Sequence, residues 1–325
     1  MAIMITGGTG FLGSYLARHL VEEKGESDLV LFEKYPDLSR VDDIRDRVTV
    51  VQGDVLEPLE VLTAIQRHDV DRVAHLAYIL SEPADGKMRP YVDVQCMGMI
   101  NVFEACLMQG VKRVCFASSA AVFAGHPDQD RDFHDDDPPM PDTIYGACKN
   151  WGDHIAQVYQ RRYGLDTVGL RPASVFGLGR GQRGSWSSGL AGLADTPHFM
   201  VLPELAALGQ PIEMPPAHQM IDWMYAADAA EAWHLVLTVQ DPKHRMFNMV
   251  SERRRIGDVT AHLRNILPDS EISVSSTPTT MTPLLNNDRL VNELGFRARY
   301  TMEGGMTHYL NMVRERAGLP PVAPA

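Results

Sequence analysis

Tyr145 and Lys149 stand four residues apart in "YGACK", and two serines, Ser118 and Ser119, lie earlier in "ASSAAVF". At that spacing a helix carries the phenol and the ammonium on one face. Together they could oxidise a carbinol, which needs a base beside the hydroxyl, a charge that ionises the base near neutral pH, and a group that orients the substrate oxygen. A free tyrosine titrates near pH ~10, and a neighbouring ammonium favours its phenolate. Ser119, or Ser118 one position away, would hydrogen-bond the oxygen. Alone, such a pair is as consistent with an ordinary helix surface. The oxidation also requires a hydride acceptor, so the sequence must supply a place for one.

The opening "MAIMITGGTGFLG" supplies that place. A short apolar run ends in Thr6, and Gly7, Gly10 and Gly13 follow at three-residue spacing before a helix-period segment. This is the setting of a dinucleotide cradle rather than of a glycine-rich turn. Gly7 and Gly10 let the backbone turn and approach a pyrophosphate, Gly13 lets helix and strand pack closely, and the helix N-terminus offers unpaired N–H groups to the phosphates. Glu33 follows at the end of the second apolar run, where a carboxylate accepts hydrogen bonds from the adenosine ribose hydroxyls and repels a 2′-phosphate. The expected cofactor is therefore NAD rather than NADP, although Lys34 could offset part of the repulsion.

The elements that must position these groups read as repeated strand–helix–strand units. The runs "AIMIT", "DLVLFE", "RVTVVQ", "DRVAHLA", "VKRVCFAS" and "DTVGLRP" predict six strands, and their near-continuous hydrophobicity suits a parallel sheet covered on both faces. Helices are predicted at 11–23, 58–67, 91–109 and 143–163. The expected fold is α/β: a doubly wound Rossmann-type sheet with a smaller C-terminal α/β substrate-binding region. Residues 1–175 form the NAD-binding domain, to which a strand and helix near 221–250 return. The stretches 176–220 and 251–317 form the substrate region, and 318–325, "GLPPVAPA", reads as a flexible tail. The glycine-rich segment 175–199 reads as ligand-covering loop. Further on, "MFNMV" and "ISVSS" read as strands, 257–267 as a helix, and "NNDRLVNELGF" as a helix stopped by Gly295.

Composition narrows the function classes. With 325 residues, 45% of them hydrophobic, the chain can bury a sizeable core, and no window approaches the roughly 20 apolar residues of a membrane span. A net charge of −12 argues against nucleic-acid binding, which needs clustered Lys and Arg. Cys96, Cys106, Cys115 and Cys148 lack metal-ligand spacing and read as reduced thiols in a cytoplasmic protein. The acidic run "HPDQDRDFHDDDPPMPD" reads as a solvated loop and not as a metal site, since its prolines prevent regular spacing; no metal is expected.

With these residues assembled, the sequence resembles the extended short-chain dehydrogenase/reductase family, the NAD-dependent epimerase/dehydratase group. The matching segments run in family order: "TGGTGFLG", Glu33, "GDV" at 53–55, "HLA" at 75–77, "SSAAVF" at 118–123, "YGACK", "RPASVFG" at 171–177, "IDWMYAADAAEA" at 221–232 and "LVNELGFRARYTMEGGM". The resemblance implies that Tyr145 is the catalytic base, Lys149 its electrostatic partner and ribose ligand, and Ser119 the orienting hydroxyl. It also implies cofactor contacts from Gly7, Gly10, Phe11, Leu12 and Gly13, adenine contacts from Asp54 and Val55, passage of the cofactor along Leu76, Ala77 and Tyr78, and Pro172 near the carboxamide. Helices at 91–109 and 147–163 resemble those that pair two subunits, so a homodimer is expected.

The sequence also departs from the nucleotide-sugar members. Ser174 stands where Asn is common, Leu178 for Pro, Gln95 for Asn and Phe123 for Tyr. Ile221 occupies the place of an Arg that commonly contacts the substrate diphosphate. Arg180 and Arg183 either replace it, bind a small carboxylate, or face solvent. Ser81, Ser119, Ser174, Arg180, Arg183 and Ile221 are the positions expected at the substrate, in a pocket made apolar by Ile79, Leu80, Phe123, Trp186, Met220 and Trp223. The leading reading is an NAD-dependent oxidoreductase acting on a secondary alcohol of a small non-nucleotide compound, such as a sugar acid, polyol or hydroxy-carbonyl molecule. The alternatives are a nucleotide-sugar epimerase or dehydratase that retains its cofactor, and a non-catalytic NAD-sensing module.

Overall fold

The computed structural model describes residues 2–79, 86–180, 199–279 and 281–322. The strands are β1 (Ala2–Thr6), β2 (Leu29–Glu33), β3 (Thr49–Gln52), β4 (Val70–His75), β5 (Arg113–Ala117), β6 (Thr167–Pro172), β7 (Ser174–Phe176), β8 (Ile212–Met214), β9 (Met220–Tyr225), β10 (Met246–Met249), β11 (Glu252–Arg255) and β12 (Ile272–Val274). The α-helices are α1 (Phe11–Glu22), α2 (Pro58–Arg67), α3 (Met88–Val92), α4 (Gly98–Gln109), α5 (Ile144–Tyr163), α6 (Leu202–Ala207), α7 (Ala226–Thr238), α8 (Ile256–Ile266), α9 (Asp288–Leu294) and α10 (Met302–Arg316).

Seven strands form one parallel sheet in the order β10-β6-β5-β4-β1-β2-β3. The six runs read from the sequence all lie in it, and "MFNMV" supplies the seventh strand at the edge beside β6. The strand order reverses between β1 and β4, which opens a crevice at their carboxyl ends. On one face α1 and α7 cover the sheet, with Leu16, Leu20 and Trp233 fully buried; truncating such a tryptophan costs about 3–5 kcal/mol. On the other face α2, α4 and α5 bury Val61, Phe103 and Ala156. A three-stranded sheet β11-β9-β7 and the pair β12-β8 build the second lobe over a separate apolar cluster. Among the described residues no helix is long and apolar enough to cross a membrane.

Local chemistry sets the helix ends. The Thr143 hydroxyl accepts from Gly146 N at 3.0 Å to start α5, which stops at Gly164 with φ +75°. α9 ends at Gly295, φ +72°, as the sequence implies. The helix expected at 91–109 begins at Met88 and passes through a π-helical turn, Asp93–Met97, between α3 and α4. Inside that turn Gln95 reaches back to donate to the Ile79 carbonyl at 2.5 Å. Such turns interrupt the regular ladder and recur at functional sites.

Two expectations are corrected. The acidic run 126–142 is a loop only partly solvated, for Phe133 and Asp135 are buried. Phe133 is fully buried and stacks on Phe123 with ring centroids 4.9 Å apart, and its backbone bridges to Leu285. The Asp135 carboxylate accepts from Asn248 N at 2.6 Å, Asp132 pairs with Arg253 at 2.6 Å, and Asp136 pairs with Arg289. The acids balance arginines that arrive from distant strands and helices, so the run is a strap holding the two lobes' loops together. The tail is likewise pinned as far as Val322, which is buried and donates its N–H to Asn311 at 2.8 Å; an apolar side chain gains by covering the second cluster.

Candidate active site

β1 delivers the chain into its first turn with no side chain in the way. Gly7 adopts φ +69°, and a Cβ there would lie 2.9 Å from the Leu76 carbonyl. At Gly13 a Cβ would meet the Gly7 carbonyl oxygen at 2.1 Å, so α1 can seat against the loop only without one. Gly10 is the N-cap of α1 and offers no side chain to the first-turn N–H groups, which leaves them to a ligand. Gly8, outside the three-residue spacing, packs instead beneath β2: a Cβ would sit 2.7 Å from Leu31.

Glu33 closes β2. Its carboxylate accepts from Lys34 N at 3.0 Å, and burial raises its pKa against the pull of the Lys34 and Tyr35 N–H groups and the Thr9 hydroxyl. Lys34 turns away and pairs with Asp54 at 2.6 Å. At the end of β4 the Thr6 hydroxyl accepts from Leu76 N and Ala77 N, each at 3.2 Å, and lies 2.7 Å from His75 Nδ1. Since that hydroxyl oxygen already accepts two bonds, it donates its proton to Nδ1, and the buried imidazole is neutral. Burial pushes the His75 pKa down to about 3. This knot fixes the course of Leu76, Ala77 and Tyr78 along the crevice.

The serine, tyrosine and lysine come from the end of β5 and from α5. Ser119 caps a 3₁₀ turn, Ala120–Phe123, by accepting from Ala121 N at 3.2 Å. Gly146 lets α5 press onto that turn, because a Cβ would lie 2.5 Å from the Ala121 carbonyl oxygen. This contact sets Tyr145 in hydrogen-bond reach of the Ser119 side chain, whereas Ser118 is buried beside Asp153. Lys149 donates to the Ala117 carbonyl at 2.8 Å, with its Nζ over the Tyr78 ring and 5.5 Å from the Tyr145 ring centre. Burial lowers the Lys149 pKa well below the usual lysine range, and Asp153 one turn on is the main counterweight. Burial raises the Tyr145 pKa; the Ser119 hydrogen bond and then the charge of Arg180 oppose that rise.

A single cavity of about 640 Å³ gathers these groups. Gly7, Gly10, Phe11, Leu12, Gly13 and Glu33 line it from the cradle, and Asp54, Val55, Leu76, Ala77 and Tyr78 from the loops after β3 and β4. Ser119, Tyr145, Lys149, Pro172, Ser174 and Arg180 complete the wall with Ile79. Thr282, which no motif marked, joins them, its hydroxyl 2.7 Å from that of Ser174. Its arrival depends on the loop between β12 and α9, a hundred residues further along the chain.

Other expected substrate residues are elsewhere. Ile221 is not at the cavity but fully buried in the second apolar cluster with Trp223, because β9 turns both inward; Phe123 is held inward by the strap. Ser81 and Arg183, with Leu80 and Trp186, lie outside the described residues.

A glycine-rich turn at a strand-order reversal, Glu33 at the end of β2 and a serine–tyrosine–lysine set, all lining one cavity, are the features of a Rossmann-type, dinucleotide-dependent enzyme. Comparison with known proteins carries this further. A family model described as the NAD dependent epimerase/dehydratase family matches residues 3–249. The chain belongs to that family, and its cofactor is NAD. It is 29% identical over 251 residues to a UDP-glucose 4-epimerase of Streptococcus mutans, an alignment covering 73% of this chain and 72% of that one. It is 31% identical over 183 residues to a uronate dehydrogenase of Pseudomonas syringae pv. tomato, covering 54% of this chain and 59% of the relative. The crystal structure of the Thermus thermophilus UDP-glucose 4-epimerase in complex with NAD has a similar fold, with TM-score 0.79 and 21% identity over 97% of this chain and 99% of that one.

Proposed function

We propose that the protein is an NAD-dependent dehydrogenase acting on a secondary alcohol of a small, non-nucleotide substrate. One observation carries the reading: at the place where relatives of this family commonly present an arginine to a diphosphate, Ile221 is sealed into the apolar core, while the cavity retains Ser119, Tyr145 and Lys149 as a working set.

The residues fit NAD, since Gly7 makes the tight turn and Gly13 lets α1 seat against it, which aims the first N–H groups of α1 at the place of a pyrophosphate. The Gly7–Gly10 turn and the first N–H groups of α1 hold the phosphates, Glu33 the adenosine ribose, Asp54 and Val55 the adenine, and Lys149 the nicotinamide ribose. When bound, the cofactor supplies the hydride acceptor. Ser119 positions the substrate oxygen. Tyr145 takes the hydroxyl proton at its phenolic oxygen; the Ser119 hydrogen bond and the Arg180 charge, rather than that of Lys149, favour its ionisation. Leu76, Ala77 and Tyr78 line the passage of the cofactor, and Pro172 lies near its carboxamide.

A homodimer goes with this reading, supported by the exposed apolar side chains of Met97, Met108 and Tyr163 along the 88–109 helix and α5. A cytoplasmic location goes with it too, supported by the cysteines Cys96, Cys106, Cys115 and Cys148, none of which forms a disulfide. The second reading is a nucleotide-sugar epimerase that keeps its NADH, favoured by the likeness to the Streptococcus mutans protein. The two separate when purified protein and NAD are mixed with sugar acids, polyols and UDP-glucose, and each mixture is assayed for NADH and for epimers. Net NADH with a non-nucleotide alcohol supports the dehydrogenase. An epimer of UDP-glucose without net NADH supports the second reading.

A further inference from the structure

We infer that Arg180 is a carboxylate-binding residue and that the substrate is a hydroxy acid whose carboxylate lies one or two carbons from the reacting hydroxyl. This rests on the dehydrogenase reading and narrows its substrate class.

The buried arginines among the described residues, Arg40, Arg113 and Arg171, each face an acid. Arg40 pairs with Asp37, Arg113 with Asp166 at 2.6 Å, and Arg171 with Asp153 at 2.8 Å. Arg180, which is half-buried, is different. Its Nε is shut off from solvent with no hydrogen-bond partner among the described residues, and the groups whose charges act on it are the phenols of Tyr145 and Tyr309. The two acids lining the same cavity are already engaged: Asp54 holds Lys34, and Glu33 accepts from the backbone of Lys34. A guanidinium whose Nε is kept from water, with no acid beside it among the described residues, is costly to hold, and a bound anion would offset that cost through charge-assisted, two-pronged hydrogen bonds.

The position of Arg180 specifies the anion. It lines the cavity with Tyr145 and is the cation whose charge acts on the Tyr145 phenol. The anion must therefore sit close to the carbon being oxidised. A nucleotide diphosphate is separated from a sugar's C4 by the width of the ring, whereas the carboxylate of a 2- or 3-hydroxy acid is adjacent to it. The hydroxyls of Ser174 and Thr282 on the same wall suit the remaining hydroxyls of such a substrate. Arg180 leaves the Gly177 turn, where its N–H donates to the Gly177 carbonyl at 3.3 Å, and Arg40 braces that turn at the Gly179 carbonyl.

The test uses the full chain with NAD bound. Short-chain 2- and 3-hydroxy acids, aldonic and uronic acids are compared with polyols and aldoses of matched length and with UDP-glucose, by NADH absorbance. Turnover is expected with acids and not with their neutral counterparts. Arg180→Gln should lower kcat/KM for the best acid about 100-fold, with Arg180→Lys recovering part of it and NAD affinity unchanged in both. Faster turnover of neutral alcohols, unaffected by Arg180→Gln, overturns the carboxylate proposal while leaving the dehydrogenase standing. Turnover of UDP-glucose alone overturns both. A readout independent of turnover is calorimetric titration of the NADH complex with malonate and tartronate. Saturable binding lost in Arg180→Gln supports the proposal, and no binding to the unaltered protein contradicts it.

Discussion

Lys34 Nζ stands 2.6 Å from an Asp54 carboxylate oxygen, so the base that follows Glu33 is already neutralised before any cofactor arrives. A 2′-phosphate would meet the Glu33 carboxylate with no free cation from this pair to compensate. NADP is therefore expected to bind far more weakly than NAD. Glu33→Ser should weaken NAD about 10-fold and leave NADP poor, and adding Asp54→Asn should release Lys34 and improve NADP by a similar factor. Fluorescence titration of the three proteins with NADH and NADPH measures these affinities.

Gly13 is expected to be intolerant of any side chain. A Cβ at that position is placed 2.1 Å from the Gly7 carbonyl oxygen, which is backbone and cannot step aside. Gly13→Ala should cost about 3 kcal/mol or more of stability and abolish measurable NAD binding. Gly25 is the control: it has φ +69° but open space around it, so Gly25→Ala should cost about 1–2 kcal/mol and leave NAD affinity intact. Thermal denaturation with and without NAD distinguishes the two.

His75 couples stability to pH. Its folded pKa is pushed down to about 3, below the ordinary value of 6.5, so on acidification the unfolded chain takes the proton first. Its contribution is fully present above pH ~6.5 and declines as the pH falls toward 3, by up to about 1.4 kcal/mol per pH unit. His75→Gln keeps an acceptor for the Thr6 hydroxyl without the titration. Denaturant unfolding between pH 7 and 4 should show a shallower decline for the variant; identical slopes would remove His75 from the explanation.

Tyr145 should govern the pH dependence of turnover. Burial raises its pKa, while the Ser119 hydrogen bond and the Arg180 charge lower it, so kcat/KM should rise with pH as the phenolate forms. Removing the Arg180 charge should move that rise to higher pH. Tyr145→Phe should lose about 10²–10⁴-fold in turnover with NAD binding preserved. A Tyr145→Phe protein with undiminished turnover would place the base elsewhere.

Much of this architecture was legible because it depends on local pattern. The apolar runs at Ala2–Thr6 and Arg113–Ala117 are covered on both faces, so they carry the signature of a parallel sheet in their own residues. The spacing of Gly10 and Gly13 was legible because their missing side chains answer contacts with Gly7 in the same loop, whereas Gly7 answers Leu76, which only the folded sheet brings near. Thr282 was not, since nothing near it in sequence says that its loop closes over Ser174. The run 126–142 looked solvated because its acids are balanced by Arg253 and Arg289, which reach it only in the folded chain. Ile221 marked a departure from the family, yet only the inward turn of β9 removes it from the cavity altogether.

The central claim is a net hydride transfer that ends in released NADH. The most direct measurement is the amount of NADH formed per protein chain with excess NAD and an excess of the best hydroxy acid, with the keto product quantified alongside. The expected result is many equivalents of NADH per chain, equal to the keto product. NADH that never exceeds one equivalent per chain, while the substrate's stereochemistry scrambles, would contradict the account and make the protein an isomerase.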